Sequence, residues 1–414
     1  MTTTELAAAE IPAHVPLHLV QNYDLWAEIA AAGVDGYQRA AAIHQETPPI
    51  FYVPRLGYLP GAWVPRRAED LRRILQDTDT FCNAAIPFAQ MLGENWQLIP
   101  LEIDPPHHAK YRALVNALFS PKRVEELAQS VRDHAAQLID RFAARGYADF
   151  NEDFANWYPT LIFLRLMRWP TEEAATFVRW THTMTKSMDM QEVAGAVMQV
   201  RDYLRARIAE RRKTPGDDFT GYLISSQVDG RPLTDDEVFG FCFLVFLGGL
   251  DTVASSLGLH FMHLARNPEQ QADLRAHPEK IPQAVEELLR AYSIVNMRRV
   301  VTRDVQFGDA PMRAGDFVLI STELGNLDPE VFASPAQVDF NRPDASLHMA
   351  FAYGPHRCVG SHLARRELAI AIELWLKKIP PFRMADKPIQ LRTGGVFSVD
   401  GLRLEWDPVP GGAA

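Results

Sequence analysis

Cysteine is scarce in this sequence: Cys82, Cys242 and Cys358 lie scattered over 414 residues. Three such residues exclude a disulfide framework and a CxxC-type metal site, and a reducing cytoplasm is their natural setting. Positive charge is also in deficit. Lys and Arg number 42 against 52 Asp and Glu, a formal charge of −10, which argues against a nucleic-acid binder, since such proteins carry a basic excess. At about 150 residues per domain the length alone would suggest two or three domains. No Gly/Ser-rich or charge-rich linker interrupts the chain, however, so a single domain over 1–414 is expected. Residues 1–16 lack a basic flank before an apolar run and read neither as a signal peptide nor as an anchor. The longest apolar run, Phe239–Leu250, falls short of the roughly 18 to 20 residues that cross a bilayer, so no membrane attachment is expected. There is no internal repeat and no GxGxxG fingerprint for a nucleotide or flavin of the chain's own.

Hydrophobic residues at 47% and charged residues at 23% give the profile of a globular chain able to bury a large core. Strand-like runs at Phe51–Pro54 and Ala62–Val64, separated by Gly57, Pro60 and Gly61, predict a hairpin. From Arg66 onward the apolar spacing turns helical, over 68–77, 106–119, 124–145, 154–167, 172–188 and 192–212. The longest periodic run, 235–266, opens on Thr234 and Glu237 in capping-box spacing and closes at Asn267-Pro268. It is apolar on nearly all faces, which predicts a buried central helix of about 50 Å. A helix over 282–292, strands at 298–301 and 316–320, a last helix over 359–378 and a tail of strands and turns complete the reading. The fold class is mainly α with small β-sheets, the β-rich regions falling around 50–65, 295–320 and 383–406.

Two stretches carry chemistry. Within the long helix, Gly248-Gly249 costs about 1 kcal/mol per glycine relative to alanine. Either a kink or close helix contact explains the pair, or the missing side chains let a ligand lie against the helix beside Asp251 and Thr252. An acid next to an alcohol in a greasy helix suggests proton delivery, because a buried carboxylate without a task is expensive. The second stretch, Phe351-Ala352-Tyr353-Gly354-Pro355-His356-Arg357-Cys358-Val359-Gly360, places Cys358 at the start of a helix. There the partial positive charge of the helix end favours a thiolate. Cys82 and Cys242, among apolar neighbours, read as small hydrophobes.

The spacing of Phe351, Gly354, His356, Cys358 and Gly360 resembles the haem-thiolate loop of the cytochrome P450 superfamily. The rest agrees in order: Gly248-Gly249-Leu250-Asp251-Thr252 resembles the oxygen-activation motif, and Glu287-Leu288-Leu289-Arg290 the ExxR pair. Alone, that Glu/Arg pair would be a surface ion pair worth a few tenths of a kcal/mol. With Arg342 it resembles the family's structural triad. The similarity covers essentially the whole chain and is strongest to the bacterial camphor-hydroxylase type.

The resemblance implies haem b between the long helix and the Cys358 loop, with Cys358 as the iron ligand and Gly248 and Phe351 beside the cofactor. It assigns the propionate clamp to His108, Arg112, Arg299 and His356, with Met297 standing where camphor enzymes carry an acid. Trp96, Leu101, Leu244, Leu247, Val295 and Val396 fall where such enzymes line the pocket, Trp96 replacing a tyrosine whose hydroxyl holds a ketone. It further implies a monooxygenase that hydroxylates a camphor- to ionone-sized terpenoid or norisoprenoid with dioxygen. Thr252 would hydrogen-bond the activated oxygen, and Asp251 would relay protons after swinging from a cation such as Lys186. A 2Fe-2S ferredoxin with an NAD(P)H-dependent reductase would supply electrons to the monomer, docking on Arg72, Arg73, Lys110, Arg112 and Arg357. A haem-thiolate peroxygenase would not need the acid–alcohol pair, and a non-catalytic haem-binding protein would lack oxygen-activation residues. A cysteine hydrolase of Cys358 with His356 has no third orienting residue.

Overall fold

The computed structural model describes residues 11–22, 24–57, 59–83, 89, 93–187 and 189–407. Residues 1–10, which carry most of the N-terminal reading, and Met188, at the end of one predicted helix, lie outside them. The chain is mainly helical with small sheets, as the periodicities predict. It falls into two compact units, each discontinuous in sequence: residues 1–85, 286–358 and 389–400 form the first, and 86–285, 359–388 and 401–414 the second.

The first unit is built on a five-stranded sheet. The predicted hairpin is present as Ile50–Leu56 against Leu59–Pro65, with Tyr52 opposite Trp63 and their rings 5.4 Å apart. Phe317–Ser321 joins the hairpin in parallel through Val318 and Trp63, and pairs antiparallel with Asn296–Val301. Phe81–Cys82 closes the other edge. Alternation along these strands sends Ile50, Tyr52, Val318 and Ile320 into one apolar cluster with Leu71, Ile74 and Leu75 of the helix Ala68–Gln76. The Asp328 carboxylate accepts from the Ala68 N–H at 2.8 Å, so a residue 260 positions away caps that helix.

The second unit is organised by the helix Asp235–Arg266, whose bounds match the sequence expectation at both ends. Both halves of the capping box form: Glu237 N–H donates to Thr234 Oγ1 at 3.2 Å, and Thr234 N–H to Glu237 Oε2 at 2.8 Å. Gly240 sits where a Cβ would stand 2.0 Å from the Gln97 carbonyl oxygen, so only glycine lets the 96–98 segment lie directly on the helix. Farther along, Phe261 packs on Phe150 and Trp375 at 4.6 and 5.0 Å. Contrary to the expectation from Phe239–Leu250 alone, this helix is long and apolar enough to cross a membrane, because Val253, Leu257, Leu259, Phe261 and Met262 extend a run that few charges interrupt. Its most apolar window is 61% buried within the protein, which is the pattern of a core helix.

Other helix boundaries also depart from the periodicity. Pro121 occupies a first-turn position and starts the helix Pro121–Asp140 three residues before the apolar spacing does. The helix predicted from Phe154 begins at Trp157, because Asn151–Ala155 forms a single π turn. The helix predicted over 106–119 is confined to His108–Asn116.

Glu323, fully buried on the short helix Thr322–Asn326, generates a prediction about stability. Burial lifts its carboxyl from the ordinary 4.5 to about 7, opposed only in part by its own backbone amide and the nearby Ser321 and Asn296 side chains. In the unfolded chain the proton leaves near 4.5, so between that value and about 7 the unfolded state binds fewer protons and stability falls as pH rises. Glu323→Gln should flatten this part of the Tm-versus-pH curve, which thermal unfolding across pH 4.5 to 8 will measure.

Candidate active site

In the first unit the loop carrying Cys358 is closed by its own backbone. Ala352 N–H donates to Met349 O at 2.8 Å, Arg357 N–H to Gly354 O at 3.1 Å, and Cys358 N–H to Phe351 O at 2.9 Å. Gly354 has φ +72° and a Cβ there would stand 2.4 Å from the Leu75 carbonyl, so both conformation and space demand glycine. Cys358 is exposed. The helix that follows is Ser361–Lys378 with Gly360 as its N-cap, so Cys358 stands two residues before the cap and not on the helix start. The Cys358 amide is instead part of the loop, through its bond to the Phe351 carbonyl.

Several predicted residues share this unit. Arg299 is 1% exposed on the strand Asn296–Val301 and donates through Nη1 to Asn83 Oδ1 at 2.9 Å and to the Arg298 carbonyl at 3.0 Å. His356 is buried, and Met297 packs against the sheet's apolar cluster. Val295 and Val396 meet in an isolated antiparallel bridge, which brings these two predicted pocket residues together. Glu287, Arg290 and Arg342 form one buried ionic group: Arg290 grips Glu287 by two bonds of 2.7 Å, and Arg342 Nε adds a third at 3.1 Å. Arg72 donates to the Leu347 carbonyl at 2.8 Å and lies 6.0 Å from the Tyr353 ring of the cysteine loop. Arg73 is exposed against the Phe307 ring at 4.7 Å.

In the second unit the two glycines of the long helix separate in role. A Cβ on Gly249 would press the Phe163 ring at 3.2 Å, a close helix contact. A Cβ on Gly248 would meet nothing within 4 Å. Around Gly248 the helix is uncovered: Leu244, Leu247, Asp251 and Thr252 are half-exposed, while Phe243, Phe246, Leu250 and Val253 are buried. Thr252 Oγ1 donates back to the Gly248 carbonyl at 2.8 Å. Asp251 lines a small cavity with Lys186, His182, Thr185, Thr160 and Asn156, whose free space of about 10 Å³ suits a single water. His108, 4% exposed, is the first residue of its helix; Arg112, one turn on, donates to Asn116 Oδ1 at 2.8 Å. Lys110 is paired with Asp229 at 2.7 Å. Trp96 is buried against Phe239 and Phe243, and its indole N–H goes to Glu94, which also binds Arg201. Leu101 is 36% exposed. Glu94 and Arg201 carry no sequence signal, since 107 residues separate them.

These features fit the expected haem, each unit by its own residues. An exposed thiol suits iron, and buried Arg299, His356 and His108 suit carboxylates taken from water. An uncovered apolar helix face at a residue without a side chain suits a flat macrocycle.

Comparison with known proteins places these residues in context. The family model for cytochrome P450 matches residues 166–384. A probable cytochrome P450 127A1 of Sinorhizobium fredii is 39% identical over 404 residues, 96% of this chain and 97% of that protein. A steroid C26-monooxygenase of Mycobacterium tuberculosis is 33% identical over 321 residues, 75% of this chain and 86% of its own. The crystal structure of CYP101J2 superposes with a TM-score of 0.86 at 33% identity, over 97% of this chain and 100% of that one.

The ionic group of Glu287 predicts a stability effect. Glu287→Gln leaves two buried guanidinium groups without their anion and should destabilise the protein by about 3–5 kcal/mol, read as a large fall in Tm. An unchanged Tm would refute the assignment of these three residues to one cooperative group.

Proposed function

The chain belongs to the cytochrome P450 family, and from that premise we propose that it hydroxylates a compact, rigid hydrophobic molecule, a terpenoid or norisoprenoid of camphor to ionone size. Its electrons are proposed to come from a 2Fe-2S ferredoxin served by an NAD(P)H-dependent reductase, in a cytoplasmic setting. The observation that carries this reading is the uncovered face of the long helix, where Leu244, Leu247 and Gly248 leave room for a flat cofactor and a small apolar substrate beside Asp251 and Thr252.

The family is one of haem-thiolate monooxygenases. Haem b, when bound, supplies the dioxygen chemistry and the oxidising power for insertion into a C–H bond. The protein's part is to bind, orient and time. Cys358 is the thiolate that we assign to the iron, held by a loop whose amides are already paired. Within the first unit Arg299 and His356 would take propionate charge, the role that the family resemblance also gives His108 and Arg112. Thr252 Oγ1 gives its proton to the Gly248 carbonyl in the resting chain, so it becomes a donor elsewhere only by releasing that bond. Asp251, which shares a one-water cavity with Lys186, would accept a proton from the water side and pass it on beside the neighbouring Thr252. The walls we assign to the substrate in the second unit, Trp96, Leu101, Leu244 and Leu247, are apolar apart from one indole N–H. For the electron partner, Arg72 is the best candidate, since it faces a carbonyl, whereas Lys110 is paired with Asp229 and Arg73 lies 3.8 Å from Asp70.

The test is the absorption spectrum of the reduced protein under carbon monoxide, followed by titration of the ferric protein with ionone and camphor. A red-shifted Soret band that Cys358→Ser abolishes is expected, together with a low-spin to high-spin change on adding ionone. A band unaffected by Cys358→Ser would overturn the ligand assignment, and no spin change with either ligand would overturn the substrate class. Asp251→Asn should slow product formation by about 10²-fold while leaving ligand titrations unchanged.

A further inference from the structure

A line of contacts in the second unit ties Trp96 to the helix Met190–Lys213. The indole lies against Phe239 at 4.8 Å and Phe243 at 5.1 Å, and the neighbouring Gln97 carbonyl rests over Gly240, so the segment is seated on the long helix without space to slide. Its single polar hydrogen, on Nε1, is donated to Glu94 Oε2. The other oxygen of that carboxylate accepts from Arg201 Nη1 at 2.7 Å, and Arg201 Nη2 is held in turn by Asp202 at 2.8 Å. One turn along, Arg205 covers the Phe239 ring at 4.2 Å and pairs with Asp236 at 2.7 Å, so the same helix also clamps the aromatic floor beneath Trp96. On the far side the segment is tied to itself: Leu98 N–H donates to Glu102 Oε2 at 2.8 Å, and Gln97 Nε2 to the Glu102 carbonyl at 3.2 Å.

We propose that Glu94 is a positioning residue for substrate selection: it clasps the Trp96 indole with one carboxylate oxygen and Arg201 with the other, so that Trp96 offers a substrate hydrocarbon only. The inference rests on the reading of Trp96 as a pocket wall. An indole has one donor and no acceptor. With that donor occupied inside the protein, a substrate carbonyl gains no hydrogen bond at this position and is recognised there by shape. Because Arg201 holds the other oxygen, the placement of the wall also follows the helix that carries Arg201. Although burial works against the Glu94 carboxylate, the bonds from Arg201 and Trp96 outweigh it and keep the group ionised below the ordinary carboxylate range. The clasp is therefore closed at neutral pH.

Two measurements on the haem-loaded protein test the proposal. The first is amide hydrogen exchange over residues 93–103 in the wild type, Glu94→Gln, Arg201→Gln, Arg201→Lys and the double Gln variant. Each single Gln variant should speed exchange about three- to tenfold, the double should add nothing beyond either single, and Arg201→Lys should restore most of the protection. Unchanged exchange, or effects that multiply, would overturn the clasp. The second is the affinity for camphor relative to its parent hydrocarbon bornane, followed by the spin-state absorption change. Glu94→Ala frees the indole N–H and should raise the camphor-to-bornane ratio by about three- to tenfold, whereas Arg201→Lys should leave it alone. An unchanged ratio in Glu94→Ala overturns the role in selection. If the wild type binds neither compound, the terpenoid reading and the role in selection fall together, and exchange alone decides the clasp.

Discussion

The carboxylate of Glu287 is the point on which the first unit turns. It is fully buried and neutralised by two guanidinium groups that could not be buried without it. Fixed by that anion, Arg290 collects the carbonyls of Asn326, Pro335 and Gln337 at 2.8 to 3.0 Å, and Arg342 takes that of Ala333 at 2.8 Å. A long irregular stretch with no ladder of its own is thereby given a framework. The order extends one step further: the Asn326 side chain accepts from the Met349 N–H at 2.7 Å, and Met349 opens the loop that ends at Cys358. The loop that carries Cys358 is thus tied, through Asn326, to a buried ion pair distant from it in sequence.

The second unit is governed by what its long helix leaves uncovered. A helix so apolar would ordinarily be sealed on every side by packing, and over most of its length it is. Around Gly248 the packing stops, while at Gly249, one position on, the Phe163 ring comes as near as a glycine permits. Gly249 therefore answers the packing reading of the pair. It brings a neighbouring helix close, and Gly248 keeps a face bare. That bare face carries the only carboxylate and hydroxyl of the helix between Glu237 and Ser255.

Much of this was legible in the sequence, for identifiable reasons. The long helix has a capping box at one end and Asn-Pro at the other, and both of its limits were readable. The hairpin was readable from its glycines and strand-like runs, and the grouping of Glu287 and Arg290 with Arg342 from the family resemblance, the spacing alone being that of a surface ion pair. The start of the helix at Trp157 was not, because a π turn has no distinctive spacing, and Pro121 was overlooked as a first-turn residue. The chemistry of the site rested on motif spacing, which gives residue types but not their occupancy. Whether Lys110 is available to a partner depends on Asp229, and whether the Trp96 N–H is available to a substrate depends on Glu94. The Lys110–Asp229 and Glu94–Arg201 pairings span 119 and 107 residues, and the two-residue Trp96–Glu94 contact follows no helix or strand period either.

The interleaving of the two units has a consequence for biosynthesis. The sheet of the first unit needs strands from 50–65, 81–82 and 296–321, and the unit's last piece, 389–400, follows a stretch of the second unit. As the chain leaves the ribosome from its N-terminus, the hairpin and its neighbouring helices emerge long before the strand that completes their sheet. Neither unit exists as a contiguous nascent segment, so neither can close while translation is under way through the middle of the gene. The apolar edge of Leu59–Pro65 must wait, open, for about 250 residues of synthesis, and the long central helix is made during that wait.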